Sequence, residues 1–241
     1  MVSRLFAYSW KFYLKRIKIV TVFSSLFLLA SLVPFLVSLP TYMTLGGVYV
    51  RTQSIPELSF FDIVFTSVVY LISLFIISEA IVNINLIIKS KRTWTHTTSE
   101  IKKGITKYAT KIFLIMIILQ LLVLSIQLLL FENSLKTYLY PLLTGALAFL
   151  FFFIAPAIVI DESSTLGGIV RSSRLAIRKP VLVLLWALLG FVILSLVKIL
   201  SDFIFTDFAQ YVVLLVNSLF VLPYLIILQT QMYMEKYPLA K

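Results

Sequence analysis

The stretch Leu142-Leu-Thr-Gly-Ala-Leu-Ala-Phe-Leu-Phe-Phe-Phe-Ile-Ala-Pro-Ala-Ile-Val-Ile160 carries no charged side chain, and it gives way at once to Asp161-Glu162. At about 1.5 Å of rise per residue, a helix of roughly 20 such residues crosses a hydrocarbon layer about 30 Å thick. A spanning barrel strand would instead alternate apolar and polar residues over about 10 positions. No alternation runs from Leu142 to Ile160. The stretch reads as a membrane helix and sets the class as all-α integral membrane protein.

Comparable runs lie on both sides of it. They predict six spans at about 17–39, 60–88, 112–131, 138–160, 181–200 and 208–234, forming a single six-helix membrane domain over residues 1–241. With 61% hydrophobic and 13% charged residues, the chain holds more apolar side chain than a soluble domain can bury. Pro40, Gly46, Gly47 and Pro56 bracket the one substantial loop between spans. Pro180 stands where the fifth helix starts, a first-turn position that proline favours. Pro34, Pro141, Pro156 and Pro223 fall within spans or at their edges and predict kinks. The first span is longer than a secretory h-region and lacks a small-x-small cleavage site before Pro40, so it is expected to be retained.

The basic residues fall on one side of these spans. Of the 21 Lys and Arg, all but Arg51, Lys136 and Lys198 lie before the first span, between the second and third, between the fourth and fifth, or after the sixth. This positive-inside asymmetry predicts a multi-pass protein of the cytoplasmic (plasma) membrane with both termini cytoplasmic. The formal charge of +11 is then matched to anionic lipid headgroups and carries no indication of nucleic acid.

Three of the basic segments have helical periodicity. The N-terminal stretch sets Arg4, Lys11, Lys15 and Lys18 against Leu5, Phe6, Phe12 and Tyr13. Between spans two and three, Trp94, Thr98, Ile101, Ile105, Tyr108 and Ile112 recur at helical spacing, while Lys102, Lys103, Lys107 and Lys111 take other faces. Thr97 and Glu100 have the form of a capping box for a helix starting near Thr98. Between spans four and five, Arg171, Arg174 and Arg178 share a face at i, i+3 and i+7. All three are expected to be amphipathic interfacial helices. Lys102, Lys103, Lys107, Arg171, Arg174 and Arg178 are the candidate contacts to lipid or to a protein partner.

The segment Phe153-Ile-Ala-Pro-Ala-Ile-Val-Ile-Asp-Glu162, with Gly167-Gly-Ile-Val-Arg-Ser-Ser-Arg-Leu-Ala-Ile-Arg-Lys-Pro180, resembles part of a known membrane domain. It is similar to the region after the fourth helix in the six-helix domain that accompanies some glycerophosphodiester phosphodiesterases, and in related six-helix proteins. The resemblance covers about thirty residues, with the span order agreeing over most of the chain. In that family the phosphodiesterase chemistry belongs to a separate soluble barrel. The resemblance therefore implies a role as anchor, assembly factor or lipid-associated scaffold, and no activity.

Catalytic signatures are missing. His96 is the sole histidine and there is no cysteine, which excludes paired-histidine haem ligation, HExxH zinc chemistry, thiolate metal sites and a catalytic thiol. Gly167-Gly168 lacks the Gly-Lys-Ser/Thr ending of a phosphate loop and reads as loosening the start of a helix. No catalytic, cofactor or metal site is assigned.

Polar residues inside the spans are the remaining signal. Glu79, Asn83, Gln120 and Asn217 form a candidate intramembrane polar site, either lining a path for a proton, ion or headgroup or tying helices together. Lys198 and Asp202, at i and i+4, form a candidate outer ion pair. The favoured function is a non-catalytic membrane scaffold or accessory subunit that docks proteins or anionic lipids through its basic helices. The alternative is a transport component, a small carrier or permease subunit, using Glu79.

Overall fold

The computed structural model describes residues 2–36, 41–44, 47–50, 59–93 and 104–235. It is about 90% helical and contains six helices long and apolar enough to cross a membrane. They are Ile17–Leu36, Phe60–Ser90, Lys107–Leu129, Lys136–Val159, Pro180–Phe205 and Ala209–Met234. Each span read from the sequence has its counterpart, and the fifth runs on to Phe205 rather than ending near 200. The capping box at Thr97 and Glu100, the start of the helix near Thr98, and His96, Lys102 and Lys103 lie outside the described residues.

In chain order the elements are α1 Val2–Lys15, α2 Ile17–Leu36, β1 Thr41–Thr44, β2 Gly47–Val50, α3 Phe60–Thr93, α4 Thr110–Leu129, α5 Lys136–Phe151, α6 Ile154–Val159, α7 Thr165–Arg178, α8 Pro180–Phe205, α9 Ala209–Val216 and α10 Leu222–Met234. The strands add an antiparallel pair to the loop after the first span, in register Thr41 with Val50 and Thr44 with Gly47. α3 begins with a reciprocal cap that the sequence reading did not identify. Ser59 N–H and Oγ donate to Asp62 Oδ2, while Asp62 N–H donates to Ser59 Oγ.

Packing is concentrated at one end, the basic end, where α3, α6 and α10 finish and α4 and α8 begin. From Val82 to Ser90 every residue of α3 is buried, whereas most residues from Phe60 to Ile72 are exposed. α5 buries no residue at all, yet α6 buries all of its own. The axis of this end is α10, in which Leu225 to Leu228 and Thr230 to Tyr233 are all buried. A helix buried on every face has neighbours all round. α1 and α2 pack against it with α3 through Phe12, Tyr13, Val20 and Ile84; α6, α7 and α8 pack on its other side through Phe153, Ala176 and Leu182.

The fourth span is two helices, α5 and α6, broken at Phe152 and Phe153. The cause is Pro156, which has no N–H to offer the carbonyl four residues earlier and whose ring clashes with it. That carbonyl belongs to Phe152, and it accepts from Gln229 Nε2 of α10 instead. Ser172 Oγ of α7 accepts from the Phe153 N–H at 2.9 Å and donates to the Leu150 carbonyl at 2.8 Å. Helical bonding then resumes from Ala157 N–H to Phe153 O. Gly168 has a specific reason to be glycine: a Cβ there would lie 2.8 Å from Ile158 Cγ1. It permits close docking of α7 on α6 rather than loosening the helix. Pro223 has the same requirement in the sixth span, where a π turn at Asn217–Val221 precedes it and widens the helix ahead of the ring.

Replacing Ser172 with Ala strands a buried N–H and a partly buried carbonyl together. Ser172→Ala is expected to lower unfolding stability by about 1–3 kcal/mol. Ser173→Ala, which removes only local bonds to the Ile169 and Val170 carbonyls, should be near neutral. Thermal unfolding of the purified variants in detergent measures both.

Candidate functional site

The described carboxylates at the basic end are joined to cations in pairs and clusters. Glu162 follows α6 with φ at 51°, a left-handed conformation that costs a non-glycine residue roughly 1–2 kcal/mol. Two lysines hold its carboxylate. Lys89 Nζ, from the end of α3, donates to Oε1 at 2.7 Å, and Lys107 Nζ, from the turn before α4, donates to Oε2. Both ammonium groups lie 5.2 Å from the centre of the Tyr108 ring, and Lys89 also donates to the Tyr108 hydroxyl at 3.3 Å. The Lys89 side chain is 10% exposed, whereas those of Lys107 and Glu162 are about half exposed. The hydrogen bonds from Lys107 and Lys89 hold the Glu162 carboxyl down to about 2.

Its neighbours close the cluster. The Asp161 side chain is 4% exposed and accepts from the Tyr233 hydroxyl at 2.6 Å and from Arg171 Nη1 at 3.1 Å. Lys111 Nζ donates to the Ser163 carbonyl at 3.2 Å, and Ser163 Oγ donates to the Ala157 carbonyl at 2.7 Å. Lys179, between α7 and α8, pairs with Glu235 at 3.2 Å. Six elements therefore meet through side-chain bonds around the two-residue acidic turn. The arrangement neutralises charge and fixes backbone. It pairs no nucleophile with a base, and among the described residues no group of three or more His, Cys, Asp or Glu is placed to hold a metal ion.

The candidate intramembrane residues do not form one network. Asn83 and Asn217 are buried, while Glu79 and Gln120 are partly exposed. Glu79, Asn83 and Gln120 make no hydrogen bond or ion pair among the described residues, and Asn83 Oδ1 is fully buried. Other residues link the helices. Thr230 Oγ1 of α10 donates to Asn85 Oδ1 of α3 at 2.7 Å, and Trp186 Nε1 of α8 donates to the Leu225 carbonyl at 2.7 Å. With Gln229 and Ser172, these were not identified from the sequence. Pro156 marked the acceptor at Phe152, but nothing along the chain says which side chain arrives there.

Among the basic candidates, Lys107 and Arg171 are engaged with Glu162 and Asp161. Arg174 and Arg178 are exposed and make no ion pair among the described residues. At the opposite end, Lys198 Nζ lies 2.6 Å from Asp202 Oδ2 across one turn of α8. Such a partly exposed pair contributes at most about 1 kcal/mol. Comparison with protein-family models, curated proteins and solved structures finds no match to this chain.

The depressed Glu162 carboxyl sets a pH dependence. Its contribution to stability is present in full above about 4.5, the ordinary value, and is lost as pH falls from there through about 2. Melting temperatures of wild type should drop across that acid window, and the drop should be smaller in Glu162→Gln. At pH 7 Glu162→Gln should itself cost about 1–3 kcal/mol because Lys89 keeps its buried charge without a carboxylate. Lys107→Gln should cost less than about 1 kcal/mol. Equal effects of the two substitutions would contradict the division of work between the buried and exposed lysines.

Proposed function

We propose that the protein is a non-catalytic integral membrane scaffold or accessory subunit of the cytoplasmic membrane, with both termini cytoplasmic. Its basic helices dock partner proteins and anionic lipid. One observation carries this reading. Each described carboxylate at the basic end, Asp161, Glu162 and Glu235, is tied to a cation within the fold, while Lys11 and Lys15 of α1 and Arg174 and Arg178 of α7 face outward without an ion pair among the described residues. Unneutralised surface cations attract acidic surfaces and weaken with salt. The resemblance to a membrane domain that accompanies soluble enzymes supports the same role.

Topology is tested with single cysteines, since the chain has none of its own. Cysteine at Asn133 should react with an impermeant maleimide added outside intact cells, and cysteine at Lys11 or Arg174 should not. The reverse pattern would invert the orientation. For docking, the protein is purified from native membranes and its associated proteins identified by mass spectrometry. Lys11→Gln/Lys15→Gln should lose a partner that wild type retains at low salt. Wild type that carries no stoichiometric protein partner would refute the scaffold.

A second reading, transport, is favoured by Glu79 alone. A carboxylate within a span is costly to keep there, and no described partner explains its presence. In proteoliposomes a transport role predicts pH- or cation-dependent flux that Glu79→Gln abolishes while thermal stability holds. Absence of flux in wild type removes this reading.

A further inference from the structure

α7 is tethered at both ends to membrane spans. Val159 ends one span and Thr165 starts α7; Arg178 ends α7 and Pro180 starts the next span. A helix of 14 residues is roughly 21 Å long, so links this short hold it along the end of the bundle, at the level where the spans leave the hydrocarbon. Its surface divides into three stripes. Gly168, Ser172 and Ala176, at i, i+4 and i+8, are buried against the bundle. Leu166, Val170 and Ile177 share a second stripe and are 76%, 52% and 63% exposed. Arg171, Arg174 and Arg178 run beside that stripe at i, i+3 and i+7.

The outward face is thus half aliphatic and half cationic, with the two halves side by side along the helix. Arg171 is engaged by Asp161, which leaves Arg174 and Arg178 for an external anion. α1 repeats the layout independently. Ser9, Phe12 and Tyr13 are buried, Trp10 and Leu14 are exposed, and Lys11 and Lys15 flank them. We propose that the outward face of α7 is a phospholipid site, in which Arg174 and Arg178 hold the phosphate of an anionic lipid and Leu166, Val170 and Ile177 lie against its acyl chains. The proposal rests on the reading that this end of the bundle faces the anionic cytoplasmic leaflet. Guanidinium groups suit phosphate because their paired N–H donors match its oxygens. An acidic protein would satisfy the arginines but would need an apolar patch set beside its carboxylates to cover the aliphatic stripe. A phospholipid satisfies both.

The test uses the full-length protein, purified without partners and reconstituted in nanodiscs containing equal phosphatidylglycerol and phosphatidylcholine. Lipids retained on release into detergent are counted by native mass spectrometry. Wild type should retain phosphatidylglycerol preferentially, and the preference should fall as salt is raised. At roughly five-fold per surface charge, Arg174→Gln/Arg178→Gln should weaken retention roughly thirty-fold. Arg174→Lys/Arg178→Lys should restore part of it, and Leu166→Ser/Val170→Ser should shorten the lifetime of the bound lipid. Unfolding temperatures of the Gln pair should match wild type, since both side chains are exposed. Retention unchanged in the Gln pair would overturn the site. So would wild type that retains phosphatidylglycerol and phosphatidylcholine equally. No partner enters the nanodisc assay, so failure of the scaffold reading leaves its result unaffected.

Discussion

A carbonyl or N–H freed inside a membrane has no water to turn to, and each one left unsatisfied costs several kcal/mol. Pro156 frees such groups in the fourth span, and much of the basic end is arranged to meet them. Gln229 reaches the Phe152 carbonyl from α10, and Ser172 spans the break from α7. To deliver Ser172, α7 must fold back onto α6, which in turn requires Gly168 where a Cβ would meet Ile158. The sharp reversal between α6 and α7 places Asp161 and Glu162 at the turn. The proline, the small-residue stripe and the acidic turn are parts of one solution.

The same turn explains why the charges sit as they do. Glu162 takes a left-handed backbone conformation, and two lysines from separate elements hold its carboxylate, so the electrostatic contacts and the backbone reversal stabilise each other. Asp161 bonds to Tyr233 and Arg171 instead, so adjacent carboxylates fasten different elements of the bundle. The basic residues at this end therefore divide into those bonded to the acidic turn and those that are not. Lys89 and Lys107 belong to the first group; Arg174 and Arg178 make no ion pair among the described residues.

The six spans were legible because length and hydropathy are local properties that the bilayer imposes on each helix separately. The proline positions were legible for the same reason, and Pro156 and Pro223 do mark irregular helix. What could not be read was the partner that answers each irregularity. Ser172 lies in a Ser-Ser pair in which only one member bridges the break, and Asn85 stands two residues from Asn83 yet only Asn85 meets Thr230. Helix rotation decides both, and rotation is set by neighbours distant in sequence. Of the four residues singled out for depth, Glu79, Asn83 and Gln120 make no hydrogen bond among the described residues, because depth along a span does not say which face a residue takes.

Uneven packing of the bundle follows from where its polar ties fall. Lipid tails are as apolar as leucine, so burial of aliphatic surface does little to draw helices together in a membrane, and close packing relies on small residues and interhelical hydrogen bonds. Those of Asn85, Ser172, Trp186, Gln229 and Tyr233 join elements toward the basic end, where the spans are tightly packed. Toward the other end Ser67, Ser73, Ser125, Thr144 and Lys198 bond within their own helices. There α4 from Leu121 onward and the first turns of α5 stand largely exposed. These halves need only be apolar, and the bilayer itself is their neighbour. The bundle is therefore most closely packed at the end that carries its unpaired described cations, Lys11, Lys15, Arg174 and Arg178, because the interhelical ties are there.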